Sequence, residues 1–211
     1  MGITMTTDLF STTLSETLLR LGLDISSYQI VALRTHFERM VEANQRFNLT
    51  RITDPTDAAV RLYADSAMAL VWADRIGLTV NTVLDVGTGA GFPSLPLAVL
   101  APHWQITALE ATGKKADFVA SCAEQLQISN LRSIHGHTSH WPDSQTFDLV
   151  IFKAVGSLSR CLSLAHLRVR VGGYVVIHKT LNIQSEEIQA GRQTADQLGF
   201  EEQPTLSLIH I

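Results

Sequence analysis

Three glycines alternate with other residues directly after a short apolar segment, in the run Thr82-Val83-Leu84-Asp85-Val86-Gly87-Thr88-Gly89-Ala90-Gly91-Phe92-Pro93. Glycine lets the backbone take positive φ and lets a ligand approach to van der Waals distance. An apolar strand followed by a glycine-rich turn is typical of nucleotide-binding α/β proteins. The run therefore predicts a turn whose backbone cradles a nucleotide-like ligand.

The spacing of the glycines narrows the class of ligand. A dinucleotide fingerprint G-x-G-x-x-G, counted from Gly87, needs its third glycine at position 92, where this chain has Phe92. Glu110 follows a second apolar segment and lies 23 residues beyond Gly87. A carboxylate at that spacing can accept hydrogen bonds from both hydroxyls of an adenosine ribose. Asp85 can order the turn or reach an ammonium group of the ligand through water.

A histidine cluster offers a weaker alternative. His135, His137 and His140 form an H-x-H-x-x-H pattern, and in an extended segment the first two share a face, as two metal ligands do. The same stretch adds only Asp143 as a further ligand. We expect no metal here, and a loop near the adenine or the substrate instead.

Composition indicates one substantial domain with a small extension. The chain has 211 residues, of which 45% are hydrophobic, and a net charge of −4. Its apolar runs are too short for a membrane span, and the N-terminus, with Asp8 and Glu16, does not resemble a signal peptide. Cys122 and Cys161 form no C-x-x-C pair, so we expect neither a disulfide nor a zinc site. These features favour a cytoplasmic protein.

Basic side chains are concentrated in one segment of this acidic chain. No Asp or Glu occurs from Leu149 to Ser185, whereas five cations do: Lys153, Arg160, Arg168, Arg170 and Lys179. Such a segment can face phosphates, and scattered solvated charges remain an equal alternative. A helix running from residue 158 to residue 170 would present its guanidinium groups for phosphate contact.

Helical periodicity covers the first third of the chain. Apolar residues at helical spacing predict helices over 8–21, from Ser26 to Phe47, and from Pro55 toward Ile76. Ser26 and Asp54-Pro55 are typical of helix starts, and Gly22 of a helix end. We expect residues 1–78 to form a helical extension packed on a core formed by residues 79–211.

From residue 82 the pattern changes to strands that alternate with helices. Strands are predicted over 82–86, 105–109, 131–135, 147–151 and 173–178, with helices near 91–100, 113–127 and 185–198. This alternation predicts an α/β fold with a mainly parallel sheet, right-handed crossovers and helices on both faces. The ligand should lie at the carboxyl ends of the central strands.

The chain resembles a known enzyme family. Its D-x-G-x-G-x-G run is similar to the first motif of S-adenosylmethionine-dependent methyltransferases, and V-L-D-V-G-T-G-A-G-F-P-S-L-P-L over 83–97 is similar to the small-subunit (16S) ribosomal RNA guanine-N7 methyltransferase family, RsmG or GidB. Supporting matches are Asn48-Leu49-Thr50, Arg61 with Asp65-Ser66, Lys114-Lys115 with Phe118, and Phe147-Asp148. The resemblance implies a class I, Rossmann-like methyltransferase fold, S-adenosylmethionine as cofactor, and ribosomal RNA or the small ribosomal subunit as partner.

The resemblance also assigns site residues. Its cofactor contacts fall on Gly87, Phe92, the residues around Glu110, Thr138-Ser139 and Lys153. With the rest of the glycine turn, the predicted cofactor-binding residues are Asp85, Gly87, Thr88, Gly89, Gly91, Phe92, Glu110, Ala111, Thr138, Ser139 and Lys153. Lys153 is also the candidate catalytic residue. The predicted RNA contacts are Lys114, Lys115, Arg160, Arg168 and Arg170.

Several departures from the family pattern indicate a divergent member. Lys153 stands where the family has an arginine and lacks the planar fork of that side chain. His137-Thr138-Ser139 replaces the family's Arg-Ala-Glu, and Leu62 replaces a histidine. For the last strand of the family's closing hairpin, only residues 206–211 are left.

The implied reaction agrees with the absence of a clear catalytic base. Guanine N7 carries no proton at neutral pH, so its methylation rests on approach geometry and on donors aimed at guanine O6. The sequence also lacks the N-P-P-Y signature of enzymes that methylate exocyclic amines. Two other functions remain open: methylation of a small molecule or a protein, and cofactor binding without catalysis. We expect a monomer.

Overall fold

Helical segments fill the first third of the chain in the computed structural model, which describes residues 8–138, 145–180 and 182–203. They are α1 (Leu9–Arg20), α2 (Ser27–Asn44), α3 (Pro55–Ala58), a π-helical segment (Ala59–Ala64) and α4 (Asp65–Arg75). The predicted helix starts are confirmed. The Ser26 side chain accepts the N–H of Gln29 in a capping box, and Asp54 caps α3 with Pro55 in the first turn.

The second helix ends earlier than the sequence pattern predicted. It was expected to reach Phe47 and ends at Asn44. The Asn44 carboxamide oxygen accepts the N–H groups of Leu49 and Thr50, at 2.8 and 3.0 Å. This side chain therefore turns the backbone away from the helix axis before the apolar pattern ends.

Five parallel strands form one sheet in the order β3-β2-β1-β4-β5, as the predicted α/β fold requires. The strands are β1 (Thr82–Val86), β2 (Gln105–Glu110), β3 (Leu131–His135), β4 (Phe147–Lys153) and β5 (Val169–His178). The helices are α5 (Ser94–Leu100), α6 (Gly113–Gln125), α7 (Leu158–Ala165) and α8 (Ser185–Leu198). Residues 206–211, expected to supply a closing strand, lie outside the described residues.

The helix predicted to run from residue 158 to residue 170 is wrong beyond Ala165. There α7 ends, and Arg170 lies in β5. The Phe147 N–H donates to the Arg168 carbonyl oxygen at 2.8 Å, so sheet pairing with β4 already begins at the end of this connection. Valine residues that follow favour the extended conformation.

Apolar side chains pack on both faces of the sheet. Successive side chains of a strand point to opposite faces. Val83 and Ile151 pack with α5, α6 and the helices of the extension, whereas Leu84 and Val150 pack on the other face with α7. The helical extension thus covers one face of the sheet and shares its core. No helix of the described residues is long and apolar enough to cross a membrane.

The carboxylate of Asp148 connects the starts of three strands. It accepts the N–H groups of Asn81 and Thr82, at 2.9 and 2.8 Å, and the Nε–H of Arg170 at 2.5 Å. Burial acts to raise the pKa of Asp148, but the hydrogen bonds from Arg170, Thr82 and Asn81 outweigh it and lower the pKa to about 2. Arg170 is therefore bound at the edge of the sheet where the strands begin.

We expect Asp148→Asn to lower the free energy of unfolding at pH 7 by about 1–3 kcal/mol, because charge-assisted hydrogen bonds are lost. The pKa of Asp148 is lower in the folded protein than its ordinary value of 3.8. Its contribution is therefore complete above that value and is lost as the pH falls through about 2. Urea unfolding of both proteins over this acid range measures the difference, and a difference that does not change with pH contradicts the account.

Candidate functional site

The turn between β1 and α5 has a backbone conformation that favours glycine. Gly87, Gly89 and Gly91 have φ of +77°, +60° and +97°. A Cβ on Gly87 would lie 2.8 Å from a side-chain carbon of Val155, and one on Gly91 would lie 2.7 Å from a side-chain carbon of Leu95. We call residues 87–91 the glycine loop. It lies at the carboxyl edge of the sheet, where the strands end and where the sequence predicted the ligand.

Glu110, at the end of β2, holds the glycine loop through its carboxylate. One oxygen accepts the Gly89 N–H at 2.9 Å and the other accepts the Thr112 N–H at 2.8 Å. The side chain is 7% exposed. The spacing from the first glycine therefore brings this acid beside the loop, as predicted. Each carboxylate oxygen keeps a lone pair that can accept a ribose hydroxyl.

Asp85 is fully buried beneath the loop. One of its oxygens accepts the Ser94 N–H at the start of α5, at 3.2 Å. The other oxygen, Oδ1, is buried and has no hydrogen-bond partner in the described ranges. Burial outweighs the hydrogen bonds and raises the pKa of Asp85 to about 7. In this conformation Asp85 connects the end of β1 to the start of α5, and its two predicted roles stay predictions.

Lys153, at the end of β4, is bound to the helical extension. Its Nζ lies 2.6 Å from an oxygen of Asp65 and 3.2 Å from the Leu62 carbonyl oxygen. It also donates to Ser66 Oγ at 3.3 Å. An ammonium group has three N–H donors, and these acceptors use all of them. Lys153 thus lies at the predicted edge, but its charge is directed at the π-helical segment and α4.

The other predicted cofactor contacts differ in their burial and in their partners. Phe92 is 7% exposed and packs edge-on against Tyr63, with ring centroids 5.0 Å apart. Ala111 is exposed, and its carbonyl oxygen lies 3.2 Å from Nε2 of His135. Thr138 is buried, and its hydroxyl has no partner in the described segments. Ser139 lies outside the described residues, as does His140 of the histidine cluster.

The predicted RNA contacts separate into two groups. Lys114 and Lys115, in the first turn of α6, and Arg160, in the first turn of α7, lie at the carboxyl edge of the sheet, as the glycine loop does. Arg168 is 4% exposed and donates to the Thr138 carbonyl oxygen, so it offers a phosphate little surface. Arg170 lies at the opposite edge with Asp148. The five residues therefore do not form one surface, and their contact with RNA stays a prediction.

Three residues beside the site were not recognised as site residues from the sequence. They are Asp65, His178 and His36. The sequence analysis named Asp65 only as part of a family match, yet its carboxylate binds Lys153 and lies 3.5 Å from Nδ1 of His178. Burial acts to raise the pKa of Asp65, but His178 and Lys153 outweigh it and lower the pKa to about 2. His36, from α2, contacts the Ala90 carbonyl oxygen at 3.0 Å. No local pattern reveals these contacts, which join distant parts of the chain.

The strand order, together with an acid from β2 that binds a D-x-G-x-G-x-G turn after β1, is the arrangement of a class I S-adenosylmethionine-dependent methyltransferase. Within this class the family can be named. A family model described as rRNA small subunit methyltransferase G, GidB, matches residues 29–209, and the chain belongs to this family.

Curated relatives agree with this assignment. A ribosomal RNA small subunit methyltransferase G from Solibacter usitatus is 34% identical over 166 residues, which cover 79% of this chain and 77% of that protein. The protein of the same name from Bacillus subtilis is 31% identical over 184 residues, covering 85% and 76%.

Among solved structures, a cofactor-bound protein from MTB has a TM-score of 0.53 at 20% identity, covering 80% of this chain and 77% of that chain. A candidate O-methyltransferase from Klebsiella pneumoniae has the same TM-score at 17% identity, covering 89% and 84%. At these identities the two structures support the fold alone.

The described residues fit S-adenosylmethionine. The backbone of the glycine loop is bare at Gly89, where a Cβ would meet only the Gly87 carbonyl oxygen at 4.0 Å, so a ligand can approach it closely. Glu110 retains acceptor capacity for a ribose diol beside the loop. The glycine loop and Glu110 are the groups that would hold the amino-acid part and the ribose part of this cofactor.

We expect Asp85→Asn to stabilise the protein more as the pH rises. The pKa of Asp85 in the folded state, about 7, lies above its ordinary value of 3.8. The folded state therefore binds this proton more tightly than the unfolded state does. As the pH rises from 3.8 to about 7, the free energy of unfolding of the wild type falls by roughly 2–4 kcal/mol relative to that of the variant. Thermal unfolding at about pH 5, 7 and 9 measures the trend, and a pH-independent difference between the two proteins would refute it.

Proposed function

We propose that this chain transfers the methyl group of S-adenosylmethionine to N7 of a guanine in small-subunit ribosomal RNA. The observation that carries the proposal is the family match over residues 29–209. Its relatives carry the name ribosomal RNA small subunit methyltransferase G. Action on the ribosome also implies a cytoplasmic location.

The chemistry asks little of the side chains beyond positioning. The cofactor supplies a methyl group made electrophilic by its sulfonium, and guanine N7 offers a lone pair without a proton. No general base is needed, and the barrier falls when the reacting atoms are held in line at about 3 Å. This agrees with a site whose acids are already engaged, Asp85 with α5 and Glu110 with the glycine loop.

In this proposal Lys153 is a positioning residue. Its ammonium binds Asp65 and the Leu62 carbonyl oxygen, and thereby fixes the π-helical segment beside the carboxyl end of β4. The substrate therefore meets a surface formed jointly by the extension and the sheet. Because its donors are all used, Lys153 contributes through this surface rather than by touching the reacting atoms.

Three cations support an RNA substrate. Lys114, Lys115 and Arg160 lie in the first turns of two helices that follow strands at the carboxyl edge. Phosphates bound there would lie on the same side of the sheet as the glycine loop, where a guanine must reach the cofactor. Phosphate contacts of this kind fix the orientation of the nucleic acid.

The direct test uses the purified chain, methyl-labelled S-adenosylmethionine and small-subunit ribosomal RNA from cells that lack this gene. Label should appear on a guanine, and borohydride reduction followed by aniline should cleave the RNA at that nucleotide, which identifies N7. Intact small subunits serve as a second substrate. Label on another atom, or none on RNA or subunits although the cofactor binds, would overturn the proposal.

We expect the double variant Lys114→Ala, Lys115→Ala to bind RNA more weakly without losing the cofactor. Each lost phosphate contact should reduce the slope of log affinity against log salt by about 1. Arg75→Ala, an exposed cation at the last turn of α4, is the matched control. RNA titrations at several salt concentrations provide the slopes, and unchanged slopes in the double variant would exclude these lysines from the contact surface.

A further inference from the structure

A buried chain of hydrogen bonds runs from the helical extension to the glycine loop. The Tyr63 hydroxyl lies 2.8 Å from Nδ1 of His36, and Nε2 of His36 lies 3.0 Å from the Ala90 carbonyl oxygen. Tyr63 and His36 are 0% exposed and Ala90 is 4% exposed. The two side chains come from the π-helical segment and α2, whereas Ala90 lies between two glycines of the loop.

The partners fix the direction of every hydrogen bond in this chain. A carbonyl oxygen only accepts, so Nε2 of His36 carries the proton that it donates to Ala90. Nδ1 is then the acceptor of the neutral ring and takes the Tyr63 O–H. Burial lowers the pKa of His36 to about 4, so the ring is neutral at pH 7. Burial likewise raises the pKa of Tyr63 well above its usual value.

Ring packing holds the imidazole in this orientation. Its centroid lies 5.3 Å from that of Phe92, the residue that follows the glycine loop, and 6.0 Å from that of Phe118 in α6. A Cβ on Gly91 would lie 3.5 Å from Nε2 of His36. The imidazole thus contacts the loop through the hydrogen bond to Ala90 and packs against Phe92 directly after the loop, from the face that the extension covers.

We propose that His36, oriented by Tyr63, is a positioning residue for the cofactor, because it holds the Ala90 carbonyl and with it the amides of the glycine loop. The Ala90 carbonyl joins Ala90 to Gly91, the residue of the loop with the largest φ. Without the imidazole donor, this buried oxygen loses the partner that the described residues give it, and the Gly91 N–H bond to the Thr88 carbonyl alone holds the peptide unit. The inference rests on the proposed function in one respect, namely that the loop binds S-adenosylmethionine.

Substitutions of His36 and Tyr63, the two side chains of this hydrogen-bonded series, separate positioning from packing. His36→Phe keeps an aromatic ring and removes the donor to Ala90. His36→Gln keeps a donor, since the amide nitrogen of glutamine reaches the place of Nε2. Tyr63→Phe removes only the hydroxyl that orients the imidazole. Leu14→Val, a buried substitution in α1, is the control for loss of stability alone.

Two readouts are measured on each purified variant: the Kd of S-adenosylhomocysteine by calorimetry, and hydrogen exchange of the Gly91 and Phe92 amides, which donate to the Thr88 carbonyl. We expect His36→Phe to raise the Kd about tenfold and to speed exchange at both amides, because a buried acceptor loses its donor. His36→Gln should recover most of the affinity. Tyr63→Phe should raise the Kd about threefold, and Leu14→Val should leave both readouts unchanged.

The opposite results would overturn the inference. If His36→Phe unfolds at a lower temperature but keeps the wild-type Kd and exchange rates, His36 is a packing residue. If His36→Phe does not fold, Tyr63→Phe decides, and wild-type behaviour of that variant refutes the role. A wild-type chain that binds no S-adenosylhomocysteine refutes the proposed function instead, and the exchange rates still test whether His36 holds the loop.

Discussion

Most of the backbone groups of the glycine loop that form hydrogen bonds are paired with groups from outside the loop. Its positive φ angles prevent a regular ladder, and buried N–H and C=O groups without partners are costly. The Leu109 carbonyl oxygen accepts the N–H groups of both Gly87 and Thr88. Glu110 accepts the N–H of Gly89, and His36 donates to the carbonyl of Ala90. The rest of the structure places these partners.

This pairing connects the extension to the sheet. The end of β2 supplies two of the partners, and α2 supplies the third from the opposite side. A second connection, from Lys153 to Asp65, joins the end of β4 to the start of α4. Both connections lie at the carboxyl edge. We therefore propose that residues 1–78 and residues 79–211 form the site together, and that neither region can form it alone.

Local signals allowed most of the fold to be predicted. Ser26 and Asp54 mark helix starts, the alternation after residue 82 predicts the parallel sheet, and the spacing from Gly87 to Glu110 brings an acid to the loop. Contacts between distant segments were not predictable in this way. His36 reads as one residue on the face of an amphipathic helix, and only the packing of α2 on the sheet shows that it meets Ala90.

The same limit explains the errors among the cations. A run without acids appears as one basic surface, whereas the turn after α7 divides it between two edges of the sheet. Arg168 is buried at this turn and Arg170 is bound to Asp148. The charge of Lys153 is likewise compensated by Asp65, which lies 88 positions earlier in the sequence. The pattern of charges in a sequence shows neither which acid pairs with a cation nor at which edge of the sheet the cation lies.

A crystal structure of the chain with S-adenosylhomocysteine tests the central claim most directly, namely that the glycine loop and Glu110 form the cofactor site. The account predicts the amino-acid part of the ligand against residues 87–91 and both ribose hydroxyls on the Glu110 carboxylate. A ligand bound elsewhere, or one whose ribose does not contact Glu110, would contradict it.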